Sequence, residues 1–166
     1  MLFKIKSYSK FLFKSTNQHG VHSPFVFNYV TKCLYSKKRL DFVKSIDVLL
    51  KSIDYFGFKN IQILNNPELQ KKVEPIYPTL IWAEDNIDIL YTNNMDVGIF
   101  DQLISTRKIH NNSMIFVDEI HSSKSRKKNW EKLTQKPTVT VSIDMFHCGV
   151  LFIRKEQVKE HFNIRI

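Results

Sequence analysis

An α/β fold built on a mostly parallel sheet is what this sequence predicts, and three observations predict it. Short apolar runs alternate with segments of helical period from Asp41 onward. Met114-Ile-Phe-Val117 is an unbroken apolar run, the pattern of a strand covered on both faces. Thr138 to Asp144 then alternates and Gly149 to Ile153 resumes as a strand, so the sheet closes in a C-terminal antiparallel hairpin. A chain of 166 residues, 43% of them hydrophobic, is most simply one domain with a substantial core. Its helical part occupies 1–56 and its sheet part 57–166.

The elements follow in order. Residues 2–14 place Leu2, Ile5, Tyr8, Leu12 and Phe13 on one broad helical face, with Lys4, Lys6, Lys10 and Lys14 mostly off it. Such a helix either lies on a membrane surface or docks on its own domain. Phe3 and Phe11 blur the stripe and favour docking. Gly20 breaks this helix; Ser23 is a good N-cap and Pro24 suits a first helical position, so a second helix runs to Tyr35. Phe42, Ile46, Leu49, Leu50 and Ile53 make Asp41–Tyr55 helical, and Gly57 stops it. Lys59–Leu64 is a strand. Pro67 opens a polar helix to about Val73.

Thr79–Ala83 and Ile87–Tyr91 read as strands. Val97–Ile109 reads as an amphipathic helix with Phe100, Leu103 and Ile104 inward, and Asn111 and Asn112 as the turn out of it. Ser122 or Ser123 caps a helix reaching Gln135, ahead of Pro137. Lys155–Phe162 reads as a last helical turn or two.

Composition narrows the partners. The net charge of +9 would suit a polyanion, but lysines are spread along the chain, often beside Asp or Glu. A solvated lysine-rich surface is therefore favoured and nucleic acid is not expected. Two distant cysteines, Cys33 and Cys148, fit a reduced cytoplasmic protein. No run approaches the ~18 apolar residues of a spanning helix. Lys10 and Lys14 interrupt any secretory core. Glycine numbers only 4, where average usage of ~7% would give about a dozen. Few positions can thus let a phosphate approach the backbone.

Three blocks carry a family resemblance. They are Lys14-Ser-Thr-Asn-Gln-His-Gly-Val-His-Ser-Pro-Phe-Val26, Ile53-Asp-Tyr-Phe-Gly-Phe-Lys-Asn-Ile61, and Phe116-Val-Asp-Glu-Ile-His121 through Trp130 to Arg165. Together they resemble bacterial class I S-adenosylmethionine-dependent methyltransferases over roughly half the chain, in the right order. The resemblance implies a reduced Rossmann-like methyltransferase sheet, with N-terminal helices and a terminal hairpin. It implies S-adenosylmethionine as cofactor, with magnesium in metal-dependent relatives.

The departures are as specific. The family's first strand ends in an acid and a glycine-rich turn; here the stretch is Ile63-Leu-Asn-Asn-Pro-Glu-Leu69. Asn93 stands where an Asp would end the family's fourth strand. Between these strands there is room for one strand where the family has two.

Candidate residues sit at the carboxyl ends of strands, where such sheets bind ligands. The resemblance places Asn65 and Glu84 near the adenosyl group, and Asp118 and His121 in catalytic acid–base roles. Asp118, Glu119 and Asn93 supply hard oxygen ligands for a divalent ion; the alternative is that Asp118 caps a turn and Glu119 is solvated. His19 and His22 are spaced for a metal but lack a third ligand, so capping or packing is favoured. His147 and Cys148 read as packing rather than a nucleophile pair. The expectation is a methyltransferase-like protein with weak or no cofactor binding. Its rival is a non-catalytic module for a protein or polyanionic partner.

Overall fold

The computed structural model describes residues 2–17 and 20–166; His19 lies outside them. The helices are α1 (Leu2–Lys14), α2 (Pro24–Tyr29), α3 (Lys44–Phe56), α4 (Pro67–Val73), α5 (Val97–Ser105) and α6 (Lys124–Gln135). A π-helical turn, Val30–Leu34, continues α2. The strands are β1 (Asn60–Leu64), β2 (Ile81–Trp82), β3 (Ile87–Thr92), β4 (Ile109–Asp118), β5 (Val141–Asp144), β6 (Cys148–Phe152) and β7 (Glu160–Asn163). They form one sheet in the order β2-β1-β3-β4-β6-β5-β7. All neighbours are parallel except at β6, which runs antiparallel to both β4 and β5.

The sheet is buried on both faces. Ile89, Tyr91, Met114, Phe116, Val150 and Phe152 point to the side covered by α2, α3 and α4. Their alternates Leu90, Ile115, Val117 and Leu151 meet α5 and α6 through Phe100, Leu103, Trp130 and Leu133. The period of two along each strand divides the core into these two layers. It leaves β4 in the middle, as its apolar run requires.

Local chemistry sets most boundaries as expected. Ser23 Oγ accepts the Val26 N–H, Asn66 Oδ1 that of Leu69, and Ser123 Oγ that of Arg126. Gly57 ends α3 in the left-handed conformation, φ 64°.

Several expectations fail, and the strand expected over 79–83 is reduced to Ile81–Trp82. The third helix starts at Lys44, not Asp41, because Asp41 Oδ1 accepts the Val43 N–H in a turn of its own. Residues 106–109 do not continue α5. Arg107 turns the chain at φ 54°, and Ile109 already pairs with Ile87. Asn111 and Asn112 are therefore inside β4, in a bulge between the pairs Ile87–Ile109 and Ile89–Met114. Ser113 fastens this bulge by donating to the Ile87 carbonyl and accepting the His110 N–H.

Lys155–Phe162 is not helical either: a turn leads into β7, which adds parallel to β5. So short and polar a segment cannot sustain a helix alone, whereas the β5 edge offers it backbone partners. Lys159 Nζ also leaves the segment to donate to the Thr134, Lys136 and Val139 carbonyls at the end of α6. Finally, α1 does dock, but not through its broad apolar face. Ser7 and Phe11 are buried and Phe3 half-buried, while Ile5, Tyr8, Leu12 and Phe13 face solvent.

Candidate functional site

The carboxyl ends of β1, β3, β4 and β5 share one edge of the sheet, and two polar constellations occupy it. The first is centred on Tyr91, the penultimate residue of β3. Its ring is buried against Phe116, and its hydroxyl donates to Asp118 Oδ2 at 2.7 Å. Asn66, capping α4, donates from Nδ2 to the same hydroxyl at 3.5 Å. Burial, and next the Asp118 carboxylate, push the Tyr91 phenol well above its ordinary value. It therefore stays a neutral donor. Asp118 Oδ1 accepts the Glu119 N–H at 2.8 Å, an N–H shared with the His147 carbonyl. Both Asp118 oxygens are thus engaged inside the protein.

The other residues at this edge diverge. Glu119 has φ 54° and turns its carboxylate outward to Arg126 Nη1, 2.6 Å away. Asn65 is exposed at φ 56°, a conformation asparagine tolerates better than most residues. Asn93 is half-buried in the bend after β3. Glu84 is exposed in the bend after β2. His22 is exposed. Among the described residues no three His, Cys, Asp or Glu side chains group as a metal site.

The second constellation starts at His121. Its Nε2 lies 2.7 Å from Asp144 Oδ2, at the end of β5, and its Nδ1 lies 2.7 Å from Ser7 Oγ in α1. All three residues are buried. An ionised carboxylate only accepts, so Nε2 carries a proton; in the neutral imidazole Nδ1 then accepts the Ser7 hydroxyl. Asp144 Oδ1 is held by the Phe146 N–H, and the Phe146 ring stacks on the imidazole at 4.9 Å.

The order of the chain, hydroxyl to imidazole to carboxylate, is that of a nucleophile relay. A relay also needs donors for an oxyanion. The N–H groups around Ser7 belong to the interior of α1, where a helix uses them in its own bonds. The arrangement also ties α1 to the sheet, with Ser7 on one side of the imidazole and Asp144 on the other.

Two cavities flank His121. One of about 200 Å³ is lined by Asp118, Glu119, His121, His147, Lys4 and Val43, among others. It brings together four of the residues singled out in the sequence, Asp118, Glu119, His121 and His147. The other, about 250 Å³, is lined by Ser7, His121, Asp144, Lys10, Lys14 and Lys127, among others. His147 is held below the ordinary histidine value by burial, and next by the Lys44 and Lys4 ammoniums. Cys148 is fully buried, and burial raises its thiol far above the ordinary value. Burial likewise takes Cys33 to about 12. Neither offers a thiolate nucleophile near neutral pH.

Tyr91, Ser7 and Asp144 were not found by sequence reasoning. Tyr91 and Asp144 end strands of the sheet, a position that could have flagged them. Nothing in the sequence pairs Ser7 with His121, 114 residues away. Comparison with known proteins adds no relative: no family model, no curated protein and no solved structure matches the chain.

Proposed function

We propose that this chain is a methyltransferase-like α/β protein that keeps the scaffold and binds S-adenosylmethionine weakly or not at all. The scaffold half of this reading is supported by the mixed sheet, with its reversed strand β6 set between β4 and β5 after the central strand. The blocks of resemblance fall on that part of the fold, on the N-terminal helices and on the start of β1.

One observation carries the loss of cofactor: the Asn66–Tyr91–Asp118 chain spans the ends of β1, β3 and β4 from within. A nucleotide-type ligand needs free polar groups and close backbone approach at that crevice. Here Asn66 is spent on capping α4 and on Tyr91, and Pro67 follows it. The residues present do not fit the adenosyl cofactor. They do not fit magnesium either: Glu119 is paired with Arg126, and among the described residues no three acidic, histidine or cysteine side chains gather as a metal site.

The test is titration calorimetry of the purified chain with S-adenosylmethionine and S-adenosylhomocysteine, with and without magnesium. We expect no binding tighter than about 10 μM, near −7 kcal/mol. A tighter complex would overturn the reading. A second reading, a non-catalytic binding module, is favoured by the apolar face that α1 leaves uncovered.

A further inference from the structure

We propose that α1 and the loop before α3 form a docking surface for an anionic lipid bilayer, with α1 lying in the plane of the headgroups. The proposal does not rest on the cofactor reading.

The argument begins with which side of α1 is free. At 100° per residue, the docked positions Phe3, Ser7 and Phe11 share one arc, and Ile5, Tyr8 and Leu12 share another about 130° away. On the second arc Ile5 is 58% exposed and Tyr8 44%. Phe13, at the end of the helix, is 93% exposed. Burying such side chains is worth ~25 cal/mol for each Å² removed from water; Tyr8 gains part of this edge-on against Phe146, and the remaining surface stays open to solvent.

A second segment has the same character. Phe42 is 89% exposed and Val43 54%. Val43 lines the same cavity as Lys4 of α1, so the two bare segments lie side by side. Ile5 and Tyr8 also border an apolar recess with Phe146. Two separate stretches of chain thus present uncovered aromatic and aliphatic side chains on one side of the molecule.

Charge identifies the occupant. In sequence α1 carries four lysines and no acid. By helical position Lys4 and Lys6 stand on either side of the apolar arc, while Lys10 and Lys14 lie toward the docked side, where they line the cavity with Ser7 and Phe11. Lys44 follows Val43 directly. An apolar arc between lysines is the pattern of a helix lying at a membrane interface. A second copy is a poor occupant, because a two-fold contact sets the patch against itself and brings its lysines together. No described helix is long and apolar enough to cross a membrane, so the contact proposed is with the surface alone.

The experiment is co-sedimentation of the full chain with large unilamellar vesicles. Phosphatidylcholine vesicles containing phosphatidylglycerol are compared with pure phosphatidylcholine, at low and physiological salt. We expect binding only to the anionic vesicles, weakened by salt. Replacing Ile5, Phe13 and Phe42 by Asp should abolish it, with the far-ultraviolet spectrum and melting temperature unchanged. Lys4→Gln and Lys6→Gln should each weaken it about fivefold, the equivalent of ~1 kcal/mol per basic residue near an anionic surface.

Equal binding to both vesicle types would overturn the proposal. Binding that survives loss of the apolar side chains would overturn it too, leaving charge alone as the cause. Ultracentrifugation covers the remaining occupant: a dimer that Phe13→Asp converts to a monomer would replace the bilayer with a second copy.

Discussion

Tyr91 shows how one side chain can close a crevice. Its ring fills the layer under α2 to α4, and its hydroxyl joins two loops that a ligand would otherwise enter between. Tyr91→Phe keeps the ring and removes the donor, leaving a buried carboxylate oxygen of Asp118 short of a partner. The expected loss is about 1–3 kcal/mol by urea denaturation; a loss below about 0.5 kcal/mol would mean water replaces the phenol without cost. Asp118 is the residue the sequence exposed best, since an acid at the end of an unbroken apolar run must lie at a strand end. Its partner was hidden because Tyr91 reads as one more apolar residue of β3, and the hydroxyl matters only once β3 and β4 are neighbours. Ser7 was hidden for a related reason. A serine on the inward line of a helix looks like an interruption of the apolar stripe until His121 is placed opposite it.

Among the elements, the legible ones were those whose ends carry their own chemistry. Ser23-Pro24, Asn66-Pro67 and Ser123 mark helix starts because cap and helix are neighbours in sequence, and Gly57 marks an end for the same reason. Segments that depend on distant partners were misread. Strand β7 forms because the β5 edge is available, and the bulge in β4 forms because Ile87 and Ile89 are spaced more closely than their partners Ile109 and Met114. The docked line of α1 was misread because the richest apolar stripe is not the one the sheet accepts.

One contact between elements is tight enough to predict from. A Cβ on Gly149 of β6 would overlap the six-membered ring of Trp130 on α6. That ring is rigid and buried, so it cannot swing aside cheaply. Gly149→Ala is expected to cost about 1–3 kcal/mol through overpacking, with a change in Trp130 fluorescence during the same denaturation series. Wild-type stability and emission would mean that β6 shifts to accommodate the methyl group.

At the scale of the molecule, His147 contributes to the pH dependence of stability with a definite sign. Its folded pKa is depressed, so the unfolded chain binds the proton more readily. The contribution is fully present above the unfolded value of about 6.5 and is lost as pH falls through the lower folded value. Denaturant unfolding between pH 7.5 and 5.5, within the range where histidine titrates, should show stability falling with pH more steeply in wild type than in His147→Gln. Equal slopes would remove His147 as a cause. The same fold has a consequence in time. His121 meets Ser7 across 114 residues, and the Tyr35 hydroxyl meets the Arg165 carbonyl across 130. Thr16 bridges to Ile164 just past β7. On a ribosome, α1 emerges well before His121, its partner 114 residues further on, so its inward side stays uncovered while that stretch is made. That delay is the exposure at which long-range folds recruit chaperones.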